Sequence, residues 1–151
     1  MTMKAKYKHT NIIAKDWKKL SQFYQGVFGC RPAPPERSFS GKWLEEGTGV
    51  ISAALWGEHL RLPGCGESGP TLEIFQYSEN LEKLECAANR LGFGHLAFEV
   101  ENVLEAIEEV QMAGGSLHGK CVSTDVQGVG TLTFAYVRDP EDNLIELQSW
   151  S

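Results

Sequence analysis

Nothing in the 151-residue sequence approaches the run of about 20 apolar residues that a membrane-crossing helix needs. The opening segment MTMKAKYKHTNII has no apolar stretch suited to a signal peptide. Cysteine is sparse. Cys30, Cys65, Cys86 and Cys121 are widely spread and form no CxxC pair. Without an export signal they read as reduced thiols in a cytoplasmic protein. Clustered positive charge is also missing: 14 Lys and Arg face 20 Asp and Glu, for a formal net charge of −6. That balance excludes a nucleic-acid surface, which needs grouped basic side chains. The one basic cluster, Lys4, Lys6 and Lys8, reads as a solvated end. What remains is an ordinary globular composition, 42% hydrophobic and 23% charged, long enough for a proper core.

The chain looks written twice. HTNIIAKDWKKLSQFYQGVFG, from His9, aligns with HLAFEVENVLEAIEEVQMAGG, from His95. Each copy opens with a histidine in an apolar, strand-like run and changes character at a helix-start residue, Asp16 or Asn102. Apolar residues at helical spacing follow: Trp17, Leu20, Tyr24 and Val27 in one copy, Val103, Ile107 and Val110 in the other. Gly29 and Gly114-Gly115 supply the stops. The copies also end alike, since TLEIFQ (71–76) and LIELQS (144–149) are short apolar strands with glutamate third.

Between these landmarks each half has room for two further strands. In the second half GSLHGKCVS and GTLTFAYVRD fit, with RDPEDN as a turn. In the first half, Val50 to Leu55 fits either a strand or a helical turn, and CRPAPPERSFSGKW reads only as extended or loop. A short linker helix is expected behind Ser78, from Leu81, Leu84, Ala88 and Leu91. Each half therefore reads strand, helix, then three strands, which makes an α+β fold. The expected organisation is one domain, 1–151, made of module 5–78 and module 92–151 joined by linker 79–91.

Glu73 lies in a strand among Leu72, Ile74, Phe75 and Tyr77. An ionised carboxylate there is costly unless something compensates it. The repeat places His9 and His95 on the first strands, and Glu73 and Glu146 on the last. Facing across a pseudo-twofold axis, two such sheets would bring all four together. Imidazole and carboxylate donors suit a borderline or hard divalent cation. Strand alternation puts Glu73 on one side with Thr71, Phe75 and Tyr77, and Leu72, Ile74 and Gln76 on the other. It likewise sets His95 with Ala97 and Glu99.

At these residues the chain resembles the vicinal oxygen chelate superfamily, which holds glyoxalase I, methylmalonyl-CoA epimerase, extradiol dioxygenases and bleomycin-resistance proteins. The clearest signals are HTNIIAKDWKKLSQFYQGVFGC, GFGHLAFEVENV and VRDPEDNLIEL, and the likeness spans essentially the whole chain. It implies two βαβββ modules pairing their curved sheets around a metal-centred cavity, often as a homodimer. The implied ligands are His9, Glu73, His95 and Glu146, holding one divalent ion: nickel, zinc, cobalt, manganese or iron. That set is most similar to the glyoxalase I-like lyase and isomerase branch. A facial-triad dioxygenase needs fewer protein ligands, and bleomycin-resistance-type binders leave the metal positions unused. The resemblance thus implies a glyoxalase-like lyase or isomerase that uses its cation to stabilise an enediolate or enolate during α-proton transfer on a small carbonyl substrate. The proton-carrying candidates are Glu146 and Glu73, with Glu146 favoured.

The chain also departs from the pattern. Where bacterial glyoxalase I has an arginine and an asparagine associated with glutathione, Ile13 and Tyr77 stand here. In the epimerase reading, Glu58 in WGEHLRL is the candidate base. His59 and Arg61 share a strand face, where an exposed strand is the plainer reading and contact with an anionic substrate the sharper one. Trp56, Phe75 and Tyr77 read as core packing, His118 as a passenger.

Overall fold

Asp16 starts the first helix as its place in the sequence suggests. In the computed structural model, which describes residues 2–151, its side chain accepts from the Lys19 backbone N–H at 3.2 Å. This satisfies one of the helix's orphan donors. The helix, α1 (Trp17–Phe28), buries Trp17, Leu20, Phe23 and Tyr24 on one face. It ends at Gly29 in the left-handed region, whose N–H returns to the Gln25 carbonyl. The second copy repeats this device. Asn102 caps α3 (Val103–Met112) by accepting from Leu104 and Glu105, and Val103, Ile107 and Val110 are buried.

The chain divides into two compact units, 1–82 and 83–151. The first contains β1 (His9–Ile13), α1, β2 (Arg31–Ser40), α2 (Lys42–Thr48), β3 (Ala54–Arg61) and β4 (Thr71–Tyr77). Its sheet runs β1-β4-β3-β2, with β1 parallel to β4 and the other neighbours antiparallel. The second contains β5 (Leu96–Glu99), α3, β6 (Ser116–Val126), β7 (Gly130–Arg138) and β8 (Leu144–Trp150), in the order β5-β8-β7-β6. Again the first strand is parallel to the last, and the rest are antiparallel. Both units thus keep the βαβββ strand order, the first with an extra short helix between β2 and β3, and the α+β reading holds.

Each sheet turns one face to its helix. In the first unit Leu60, Leu72 and Ile74 are fully buried with Leu20 and Tyr24; in the second Val137, Ile145 and Leu147 are buried with Val110. Each such side chain contributes roughly 1.5–3 kcal/mol of burial, an upper figure because the unfolded chain is itself partly collapsed. The turn before β8 is organised by Asp139, 2% exposed, whose carboxylate accepts from the backbone N–H groups of Glu141 and Asn143 and from the Asn143 amide.

One expectation, an extended or loop segment, is narrowed, and two others need correction. The proline-rich segment is a strand, β2, lying at the sheet edge with a register shift between Ala33 and Arg37. Proline lacks the ladder donor, so an edge with a bulge is where it fits. Between β2 and β3 an additional helix, α2, packs Leu44 against Ala53 and Leu55, with Phe39, Phe75 and Tyr77 alongside. No helix forms over 79–91, where Leu81, Leu84 and Leu91 are exposed. A short helix is marginal unless its apolar stripe is packed. Here Asn80 instead accepts from the Tyr77 N–H and donates to the Ala14 carbonyl, holding the end of β4. No helix among the described residues is long and apolar enough to cross a membrane.

Candidate metal centre

The face of each sheet away from its helix carries the chemistry. In the first unit, register sets Asn11 of β1, Glu73 of β4, His59 of β3 and Ala33 of β2 side by side. Glu73 is 9% exposed, and both carboxylate oxygens are engaged. Oε1 accepts from the Asn11 amide at 2.8 Å and lies 3.5 Å from His9 Nε2. Oε2 lies 2.7 Å from His59 Nε2. The other ring nitrogen of His59, Nδ1, is 2.8 Å from Thr71 Oγ1. His9 and His59 meet edge to face, ring centroids 5.3 Å apart. Burial holds His59 below the ordinary imidazole pKa, against the pull of Glu73 and with help from Arg37 and His9.

The second unit repeats the row with His118, Tyr136, Glu146 and Ala97 on β6, β7, β8 and β5. His95, just before β5, places Nε2 3.1 Å from Glu146 Oε2 and its ring 4.9 Å from that of Tyr136. Glu146 Oε1 is approached only distantly by the Gln148 amide, at 3.3 Å, and Gln148 in turn accepts from the Trp150 indole at 2.7 Å. His118 accepts from the Arg138 guanidinium at 2.9 Å and 3.1 Å. It is tied into the sheet.

The structure therefore brings His9 to Glu73 and His95 to Glu146, each pair within its own unit. Sequence reasoning undervalued His59. Its side chain is 16% exposed and bonded to Glu73, so the exposed-strand reading is overturned. Arg61, by contrast, pairs with exposed Glu67, which Arg31 and Arg61 hold below the usual carboxylate pKa. Glu58 is also corrected. It is buried on the opposite face of β3, where it accepts from the Ser21 hydroxyl of α1 beside a groove lined by Trp17, Gln25 and Pro32. That removes it from the face that carries Glu73.

The donors fit a divalent ion. Ligand atoms of His9, His59 and Glu73 all lie within 4.8 Å of one another. Two donors each about 2.1 Å from a cation are roughly 3–3.4 Å apart at octahedral or tetrahedral angles. The observed separations, 2.7 Å from His59 to Glu73 Oε2 and 3.5 Å from His9 to Glu73 Oε1, lie on either side of that range and reach the two different carboxylate oxygens. A carboxylate ringed by imidazoles and an amide, with no thiolate, suits nickel, zinc, cobalt, manganese or iron.

Paired βαβββ units, each with a histidine–glutamate pair at the same register, define an α+β protein of the vicinal oxygen chelate type. The chain belongs to the Glyoxalase/Bleomycin resistance protein/Dioxygenase superfamily, which it matches over residues 6–147. It is 26% identical to the lactoylglutathione lyases of Escherichia coli O157:H7 and Shigella flexneri over 144 residues, 92% of this chain and 88% of each relative. Among solved structures it is similar to a glyoxalase family protein from Bacillus cereus, with a TM-score of 0.75 and 18% identity over 99% of this chain and 95% of that one. It is also similar to a mutant of the fosfomycin resistance protein FosX from Listeria monocytogenes, complexed with Mn(II) and a dihydroxypropylphosphonic acid. There the TM-score is 0.57 and the identity 19%, over 96% and 92% of the two chains.

Proposed function

We propose that this protein is a divalent-metal-dependent lyase or isomerase of the glyoxalase type, moving an α-proton on a small carbonyl substrate. The observation that supports it most is the repeated pair: a histidine at the first strand and a glutamate on the last, 3.5 Å apart in one unit and 3.1 Å in the other. His9, Glu73, His95 and Glu146 are the proposed ligands. When bound, a divalent cation supplies Lewis acidity for the negative charge that develops on a substrate oxygen.

The two glutamates are held differently, and that difference divides their roles. Glu73 is clamped on both oxygens by Asn11, His9 and His59. A carboxylate so tied is an anchor. Glu146 keeps one firm contact, to His95, and only the long bond from Gln148 on Oε1. Oε1 of Glu146 is thus the better placed to accept the α-proton and return it. Tyr136, cross-strand from Glu146, and Phe134, with rings 5.8 Å apart, lie on the same face of the sheet. Ile13 and Tyr77, at the positions tied to glutathione in the resemblance, favour a carbonyl substrate other than a glutathione adduct.

The test is deuterium uptake at the α-carbon of a panel of α-hydroxy and α-keto compounds, the glutathione hemithioacetal of methylglyoxal included. Chelation should abolish exchange, one divalent metal should restore it, and Glu146→Gln should lower kcat by about 10²–10⁴-fold. Exchange that survives both metal removal and Glu146→Gln rules the reaction out. Apolar ligand binding that is indifferent to chelator, with no exchange on any compound, identifies a binding module instead.

A further inference from the structure

Aligned strand by strand, the two rows match: Ala33 with His118, His59 with Tyr136, Glu73 with Glu146, and Asn11 with Ala97. His59 and Tyr136 hold the same place, cross-strand from the glutamate, yet differ in chemistry. Tyr136 offers an aromatic ring to His95. His59 offers a second imidazole nitrogen directly to the carboxylate.

We propose that the first unit is a cation-binding half-site in its own right, with His59 as a direct ligand beside His9 and Glu73. This rests on the cation-dependent reading above and adds a fifth residue to the four ligands named there. The ligand class is two imidazoles and one carboxylate, which selects zinc, cobalt, nickel or iron over calcium and magnesium. The local chemistry suits capture. Glu73 Oε2 and His59 Nε2, 2.7 Å apart, share a hydrogen bond. A cation would take the place of the proton between them. Thr71 Oγ1, 2.8 Å from Nδ1, can donate or accept, so the proton displaced from Nε2 can be carried on Nδ1 instead, which frees the Nε2 lone pair. Asn11 meanwhile fixes the other oxygen of Glu73. The second unit has no equivalent third donor in its row, because the corresponding side chain is Tyr136.

The test uses the full chain stripped with chelator and titrated with cobalt(II), read by visible absorption and calorimetry. A His95→Ala/Glu146→Ala double variant removes the second unit's ligands and should still bind one equivalent. Adding His59→Gln, which keeps a hydrogen-bond donor toward Glu73 but no imidazole, should weaken that binding by tenfold or more and change the visible bands. Binding that is as tight after His59→Gln as before it overturns the ligand role. So does a double variant that folds and takes up no cobalt. Should the double variant not fold, His59→Gln alone answers in the otherwise unaltered chain. Proton NMR of the cobalt form should lose one set of paramagnetically shifted imidazole resonances, and unchanged sets refute the half-site. The two proposals fail separately. Cobalt affinity that depends on His59 in a protein without α-proton exchange sinks only the reaction. Chelator-sensitive exchange with cobalt binding indifferent to His59 sinks only the half-site.

Discussion

Gly57 is the residue through which fold and site are most tightly coupled. It pairs with Phe75 in the β3–β4 ladder, two residues before His59 and on the same face. A Cβ added there would lie 2.0 Å from the Ile74 carbonyl oxygen and 2.6 Å from Phe75 Cδ1, whereas ordinary contact begins near 3.4 Å. The carbonyl belongs to the backbone and cannot rotate aside, so Gly57→Ala must part the strands by more than an ångström. Overpacking of this kind costs about 1–3 kcal/mol, and each ladder hydrogen bond weakened adds about 1 kcal/mol. The expected loss is therefore roughly 3–5 kcal/mol by the same reckoning, large against a total of about 5–15 kcal/mol for a domain. At about 2–4 °C per kcal/mol for a chain of this size, Tm should fall by roughly 6–20 °C. Urea and thermal unfolding measure it, with Gly26→Ala as the control. Gly26 sits inside α1 with nothing within 4 Å of its added Cβ, so alanine should be neutral or stabilise by up to about 1 kcal/mol. Gly57→Ala should also weaken cobalt binding by the protein that remains folded, since the 2.7 Å contact from His59 to Glu73 crosses the same pair of strands. A Gly57→Ala protein within about 0.5 kcal/mol of the parent would show that β3 and β4 are not packed as described.

Two further perturbations test the frame, one in each unit. Cys30 is buried, which pushes its thiol pKa from 9.0 up to about 11. A pKa raised by folding means stability that is complete below pH 9 and lost as pH climbs through 11. The shift corresponds to an upper figure of about 3 kcal/mol. Urea midpoints of the parent should therefore fall more steeply between pH 9.0 and about 11 than those of Cys30→Ala, and parallel curves would refute the assignment. In the second unit, Asp139→Ala strips three donors of a buried acceptor and should cost roughly 2–4 kcal/mol. Asp139→Asn, which keeps an accepting oxygen, should recover part of that loss. If both unfold with the parent's midpoint, the turn into β8 is not organised by this carboxylate.

The fold was legible wherever a local rule and the packing agreed. Asp16 and Asn102 read as caps because an acceptor side chain before an apolar helical stripe has few other uses, and both accept backbone N–H groups as expected. The alternation around Glu73 also holds. Leu72 and Ile74 are fully buried, while Gln76 on the same side accepts from the Trp17 N–H at the start of α1. Local rules misled where tertiary context decided. Leu81, Leu84 and Leu91 have helical spacing, but spacing makes a helix only when something covers the stripe. Arg31–Ser40 read only as extended or loop, and its prolines are accommodated because β2 is the edge strand.

The site was half legible for a related reason. His9, Glu73, His95 and Glu146 can be found by laying one copy on the other, since each sits at a fixed offset from a landmark that both copies keep. His59 cannot. In an antiparallel pair the partner of a residue is set by the length of the connection between the strands. The connection 62–70 is longer than its counterpart 139–143, so Glu73 meets His59 while Glu146 meets Tyr136. No single offset from the glutamate finds both, since the offset that leads from Glu146 to Tyr136 misses His59 when counted back from Glu73. The usable signal in the sequence was strand parity: His59 is two residues from Gly57 and two from Arg61, on the face opposite Glu58 and Leu60, and Leu60 is a core residue. Any polar residue on that side of β3 must face the side of β4 that carries Glu73. Which one it meets follows only from the register, and the hairpin sets the register.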